Sequence, residues 1–193
     1  MLIHSYDPVY LTDPSLMNGF NLSSENLLLV LFKESELSRT QVLQKVLKET
    51  DPDKVKILHD DKGKPYFPNL PLHLSVSTVN DLTLIAVSQD PVGLDAEAER
   101  KVHYELILRR FFSKEEQEHL LPHLDLKSFL TVWTQKEAYV KYLGKGIDDS
   151  FRLFSVFSVP EKIYTFPLDH LTVSICSKKA KTIVVFSALQ EEA

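Results

Sequence analysis

Residues 91–100 read PVGLDAEAER. The stretch starts as an apolar run broken by a glycine and ends in two carboxylates, Asp95 and Glu97, two positions apart. Side chains alternate between the faces of a strand, so both carboxylates point the same way. Two ionised carboxylates side by side repel and raise each other's pKa. A divalent cation relieves that repulsion. Oxygen ligands of this kind suit Mg²⁺, which takes one or two protein carboxylates and completes its octahedron with water and phosphate oxygens. A solvated acidic strand end is the plain alternative, and D-x-E alone does not exclude it.

The chain around this strand alternates strands with helices. Leu27 to Phe32 is the longest continuous apolar run and reads as a buried strand. Ser35 offers an N-cap for a helix through ELSRTQVLQKVLKET, with Val42, Leu43, Val46 and Leu47 on one face. HDDKGKPYFPNLP reads as loop, and HLSVSTVNDLTLIAVS as two strands about an Asn80-Asp81 turn. In the second half, Ser113 and Glu116 form an S-x-x-E capping box, and Pro122 breaks the short helix it starts. A longer helix is expected over Leu126 to Leu143, its core side being Leu126, Phe129, Leu130, Trp133 and Leu143, with Gly144 ending it in a left-handed conformation. FRLFSVFS, HLTVSICS and KTIVVFSAL are the last three strand candidates, and the QEEA tail reads as disordered. The class is α+β, without repeats or a linker between independent domains.

Composition narrows the function. At 193 residues, 44% hydrophobic and 25% charged, the chain has enough material for one sizeable core, or two small lobes sharing one. A net charge of −5 argues against nucleic acid as partner, so any anionic ligand needs a local cluster of Lys and Arg. Cys176 is the sole cysteine and lies in an apolar run, which excludes an internal disulfide and predicts a buried, inert thiol. MLIHSYDPVY has no basic region followed by a long apolar one, and the run at 27–32 is too short to cross a bilayer. The expectation is a cytoplasmic protein with no membrane contact.

The helix at 126–143 strengthens the metal reading. Glu137 and Lys141 are four apart and share a face, flanked by Lys136 in the otherwise apolar WTQKEAYVKYLGKGI. A surface Glu–Lys pair is the ordinary meaning of such spacing. A third carboxylate with two cations is also what a phosphoryl-group site needs: the carboxylate binds metal or takes a proton, and the lysines neutralise phosphate. GKG directly after adds Lys145 and a backbone that permits close approach.

VGLDAE, FFSKEEQEHL, WTQKEAYVKYLGKGI and FRLFSV, in this order, resemble the Sfp-type 4′-phosphopantetheinyl transferases. The family signature is G-[IV]-D-x-E followed some forty residues later by W-[ST]-x-K-E-[AS]-x-x-K-x-x-G-x-G; here Asp95 to Glu137 is 42 residues (137 − 95). GKPYFPNLP resembles the family's G-K/R-P segment, and SRTQVL, more weakly, its short Arg-containing helix. The resemblance implies two similar α/β lobes, 1–97 and 98–193, related by a pseudo-twofold axis, with the active site in the cleft between them and a monomeric chain. It implies transfer of 4′-phosphopantetheine from coenzyme A to a serine hydroxyl of an acyl or peptidyl carrier protein, releasing adenosine 3′,5′-bisphosphate. Asp95, Glu97 and Glu137 would be the catalytic and Mg²⁺-binding set. Glu137 is the candidate general base, and a metal-bound water is the competing one. Lys136 and Lys141 would grip phosphate oxygens, Lys64 would sit near the 3′-phosphate of coenzyme A, and Arg39 would be a second cation there.

One departure stands out. The family reads F-N-x-S-H-S before the D-x-E strand, its histidine contacting phosphate; here HLSVSTV places Ser77 at the serine and Thr78 at the histidine. Threonine can donate one hydrogen bond but carries no charge. His73 reads as a strand-end residue. Phe111 and Phe112 read as core, and Arg109 and Arg110 as possible contacts for an acidic carrier protein. Besides an active transferase, two readings stay open: a degenerate relative that binds carrier protein or coenzyme A without transfer, and a structural α+β domain with coincidental motifs.

Overall fold

Strand β2 (Asn26–Lys33) shows why the apolar run at 27–32 does not alternate. Leu27, Leu29 and Leu31 enter one core while Leu28, Val30 and Phe32 enter another, so both faces of the strand are covered. The computed structural model describes residues 7–11, 21–100, 103–146, 149–179 and 181–189. The tail expected to be disordered, 190–193, lies outside the described residues.

Helix α1 (Arg39–Leu47) starts at Ser38, not Ser35; the Ser38 hydroxyl accepts the Gln41 amide and the Gln41 side chain returns to the Ser38 amide. That reciprocal box outcompetes the earlier serine. The short strands β3 (Leu58–His59) and β4 (Pro65–Tyr66) flank a tight turn that presents Lys64. Asp60 Oδ1 accepts the amides of Lys62 and Lys64 at 2.9 and 2.8 Å, and Gly63 takes φ +81°. Strands β5 (His73–Val79) and β6 (Leu82–Ser88) form the expected hairpin, with Asn80 left-handed at its tip. Strand β7 (Val92–Ala98) carries the carboxylates.

Helix α2 (Tyr104–Phe111) was not anticipated; α3 (Lys114–Leu120) and α4 (Leu126–Leu143) match the reading, α4 to the residue. Asp125 and Ser128 cap α4 at its start and Gly144, at φ +67°, ends it. FRLFSVFS is not a strand: Asp149–Leu153 is a 3₁₀ turn and the rest is irregular. The strand comes later, as β8 (Lys162–Leu168), and its Pro167 is tolerated because β8 is an edge strand. Strands β9 (Leu171–Ser177) and β10 (Thr182–Ser187) complete the order after β1 (Val9–Leu11).

One sheet runs β1-β10-β2-β6-β5 and another β7-β9-β8. Strand, helix, then hairpin occurs twice, as β2-α1-β5-β6 and β7-α4-β8-β9, each time with the last strand in the middle of the three. The sheets divide the chain differently from a cut at residue 97: β7 joins the later strands, and β10 returns to lie parallel to β2. The layers run α1, five-stranded sheet, three-stranded sheet, α4. Val92, Leu94 and Ala96 face the core between the sheets, which leaves Gly93, Asp95 and Glu97 for the α4 side. Among the described residues, no helix is long and apolar enough to cross a membrane.

Two devices set β7 in place. Its free edge is met by serines of β5 in lieu of a backbone ladder: Ser75 Oγ accepts the Leu94 amide at 2.9 Å and Ser77 Oγ the Ala96 amide at 3.2 Å. On its other face α4 lies directly against the backbone of Gly93, where a Cβ would overlap the Ala138 carbonyl and the Tyr142 amide. Gly93→Ala should therefore cost about 3 kcal/mol or more in urea unfolding, at the upper end of overpacking costs. Gly146→Ala, where an added methyl meets nothing, should stay within about 0.5 kcal/mol.

Candidate active site

With α4 seated on Gly93, Glu137 and Lys141 stand over the carboxylates of β7. A cleft of 480 Å³ is lined there by Ser77, Thr78, Asp95, Glu97, Arg100, Glu137 and Lys141, among others. A second hollow of 280 Å³ shares Val76, Glu137 and Lys141 with it and is walled by Lys62, Lys64, Gly144 and Lys145. The two hollows meet at one wall, an acidic half on one side and a basic half on the other.

Asp95 is the most enclosed of the carboxylates, 6% exposed. Its Oδ1 accepts the Lys141 ammonium at 2.8 Å and the Ser77 hydroxyl at 3.2 Å, while Oδ2 is buried with no hydrogen-bond partner. Burial pushes its pKa up, opposed by Lys141 and the hydrogen bonds. Glu97 is half-buried and raised by burial and then by Asp95; Arg100, at 3.6 Å, and the Trp133 side chain oppose that. Glu137 is raised to about 7 by burial, then by Asp95, with Glu97 adding and Lys141 opposing. The three carboxyls thus sit in one another's fields with less than one positive charge each, the situation a divalent cation relieves. Asp95 Oδ2 is a buried acceptor without a hydrogen-bond partner, and an all-oxygen set fits magnesium. Among the described residues, however, no three acidic, histidine or cysteine side chains are drawn close enough to form a ready-made metal site. The Lys141 ammonium holds Asp95 instead.

Lys64 lies where a phosphate ligand could use it. Its ammonium donates to the Tyr142 carbonyl in the last turn of α4 at 2.9 Å, and burial lowers its pKa. Lys136 does not. It points to a different side of α4, fully buried, 2.8 Å from Glu116 and 2.9 Å from the Phe154 carbonyl, with the Phe154 ring 4.0 Å from its ammonium. Adjacency to Glu137 is the reason: consecutive helical residues point about 100° apart. Arg39 is not brought to the cleft wall either. Its Nε donates to Glu34 at 2.6 Å. Glu34 also accepts the Thr83 hydroxyl at 2.8 Å, and Thr83 is 3.4 Å from Thr78. With the Thr83 proton committed to Glu34, Thr78 is the donor in that contact. Thr78 is exposed on the cleft; Ser77 is buried, and its oxygen is spent on the β5–β7 seam.

Other expectations resolve simply. Cys176 is fully buried and burial pushes its thiol up. His73 begins β5, Phe112 is core and Trp133 stacks on Phe112 and Phe129. Leu143, expected in the core, is 40% exposed. The sequence reading missed Glu116 as the partner of Lys136. Its capping-box role was visible, but Glu116 also accepts the Val156 amide and the Lys136 ammonium from elements far along the chain.

Residues 91–186 match the 4′-phosphopantetheinyl transferase superfamily. The chain is 31% identical over 112 residues to 4′-phosphopantetheinyl transferase Sfp of Bacillus subtilis (strain 168), covering 56% of this chain and 50% of that protein. It is 27% identical over 138 residues to AcpT of Escherichia coli (strain K12), 68% and 71% of the two chains, and 32% identical over 128 residues to HetI of Nostoc sp., 61% and 54%. The chain spans about half the length of the Bacillus relatives it matches. Residues 91–186, which include β7, α4 and the carboxylates, therefore belong to the 4′-phosphopantetheinyl transferase superfamily.

Two outcomes follow from the charges. Lys136→Met leaves Glu116 buried and unpaired, so urea unfolding should show a loss of about 3–5 kcal/mol. Adding Glu116→Gln removes the unpaired charge, but its single amide oxygen can accept only one of the Ser113 and Val156 amides, so it should recover only part of the loss. Glu137, raised from 4.5 to about 7, holds its proton more tightly folded than unfolded. The stability it contributes is complete at low pH and is lost as pH rises from about 4.5 to about 7. In metal-free protein, Glu137→Gln should gain stability relative to the parent across that window; parallel pH profiles would contradict the shift.

Proposed function

We propose that the chain transfers the 4′-phosphopantetheine group of coenzyme A to a serine hydroxyl of an apo acyl or peptidyl carrier protein. The observation that carries this reading is the divided cleft: a group of carboxylates, with an unpartnered acceptor on Asp95, sharing a wall with a lysine-rich hollow. An anionic pyrophosphate donor with a divalent cation matches both halves at once. The names of the relatives support the same reaction class.

Asp95, Glu97 and Glu137 would hold the magnesium ion. When bound, it would neutralise the carboxylates and stabilise charge developing on the pyrophosphate as its P–O bond breaks. Lys64, Lys141 and Lys145 would take phosphate oxygens of the donor. The carrier serine oxygen attacks the phosphorus bearing the pantetheine arm. Its proton passes to Glu137, and adenosine 3′,5′-bisphosphate departs with the bonding electron pair. Glu137, a carboxylate on the cleft wall, is placed to take that proton; a bound water remains the competing base. Thr78, uncharged and donating inward, leaves the donor one cation fewer than the family pattern provides.

The reading extends to two lobes about a pseudo-twofold axis with the site in the cleft between them, supported by the repeated strand–helix–hairpin order. It also extends to a monomeric, cytoplasmic enzyme, which a single buried thiol suits.

Intact mass spectrometry of an apo carrier protein incubated with the chain, coenzyme A and Mg²⁺ tests this. The carrier should gain one phosphopantetheine, dependent on Mg²⁺, and Glu137→Gln should slow the gain by at least about 100-fold. Coenzyme A binding without transfer to any of several carriers would favour the degenerate binder, for which the missing imidazole is the motive.

A further inference from the structure

We propose that Lys141 is the resident counter-ion of the carboxylate cleft, and that metal and donor load together by exchanging it. This rests on the preceding reading. Lys141 occupies Asp95 Oδ1 at 2.8 Å; among the described residues its only other hydrogen bond is to the Val76 carbonyl at 3.4 Å. Asp95 Oδ2 is buried beside it without a hydrogen-bond partner. A divalent ion on Asp95 would face an ammonium held on the same carboxylate, so the two cations compete. The ammonium must leave before Asp95, Glu97 and Glu137 can close on a metal, and in its presence they do not form a three-ligand group.

The geometry provides somewhere for it to go. Lys141 lines both halves of the cleft and its side chain is 32% exposed, so rotation about its own bonds carries the ammonium from one half to the other. The basic half already holds Lys62, Lys64 and Lys145. Without an anion there, a fourth positive charge is repelled and Lys141 stays on Asp95. With donor phosphates present, that half attracts it. Metal alone therefore binds against the cost of displacing Lys141, and the donor removes that cost. Donor must in turn bind more tightly when metal is present, because the coupling is reciprocal.

Any metal that bridges donor phosphates shows some coupling, so the discriminating quantity is metal affinity with no donor. Calorimetric titration of the full chain with Mg²⁺ alone should give weak binding in the parent and binding about tenfold tighter in Lys141→Met, a modest value for such couplings. Lys141→Arg should resemble the parent. Addition of coenzyme A should tighten Mg²⁺ binding in the parent and do so much less in Lys141→Met. Because that variant leaves a buried aspartate without its cation, a second measurement uses the unaltered chain: side-chain ammonium NMR with ¹⁵N-lysine. The Lys141 signal should shift or broaden on saturation with Mg²⁺ alone. Unchanged or weaker Mg²⁺ affinity in a folded Lys141→Met, or a Lys141 signal unmoved at saturation, overturns the exchange while leaving the metal site intact. No Mg²⁺ binding with or without coenzyme A overturns the metal reading itself.

Discussion

The missing side chain at position 93 governs the arrangement of this protein. With no Cβ there, α4 packs backbone to backbone on β7, and a single methyl would overlap the Ala138 carbonyl. The two elements then lie close enough for Lys141 to reach Asp95 and for Glu137 to share its electrostatic field. A buried polar cluster fixes the register along the helix: Thr134 meets Ser174 at 2.8 Å, Thr165 meets Ser174 at 2.9 Å, and Gln135 donates to Thr165 at 2.9 Å. Another side of α4 is fixed by Lys136 in its aromatic surroundings with Glu116. Thus consecutive residues, 136 and 137, divide the labour of anchoring the helix and presenting the chemistry.

The cost of that close packing is electrostatic. Three carboxyls are driven up by burial, Glu97 and Glu137 also by the charge of Asp95, with Lys141 and Arg100 as partial relief. Such a cluster weakens a fold unless something binds it, and groups displaced this far from their ordinary values gather where chemistry is done. The adjoining lysines make the arrangement selective. A cation alone gains only the acidic half, and an anion alone only the basic half.

What the sequence disclosed follows from how local each cause is. The spacing of Asp95 and Glu97 on one strand face, of Glu137 and Lys141 on one helix face, the capping box that starts α3 and the glycine that ends α4 are all set within a few residues, and each is legible there; the Asp125 cap that starts α4 was not read. The role of Lys136 was misread because its partner Glu116 is brought in by a different helix. Ser77 and Thr78 were read as ligands by position, but the first is taken up by the β5–β7 seam and the second leans on Thr83, across the hairpin. The parallel return of β10 beside β2, and the edge strand with Pro167, depend on long-range pairing that no local pattern announces. The glycine of VGLD was visible from the outset; its meaning needed the helix above it.

In the proposed reading, β7 and α4 together form one cation site on Asp95, Glu97 and Glu137. Anomalous diffraction from crystals grown with Mn²⁺ and coenzyme A tests it most directly. A single strong peak is expected in the cleft within about 2.2 Å of Asp95 Oδ2, a usual distance for hard divalent cations on oxygen, with Lys141 turned toward the donor phosphates. A peak away from Asp95, or ordered coenzyme A with no metal beside these carboxylates, would contradict it.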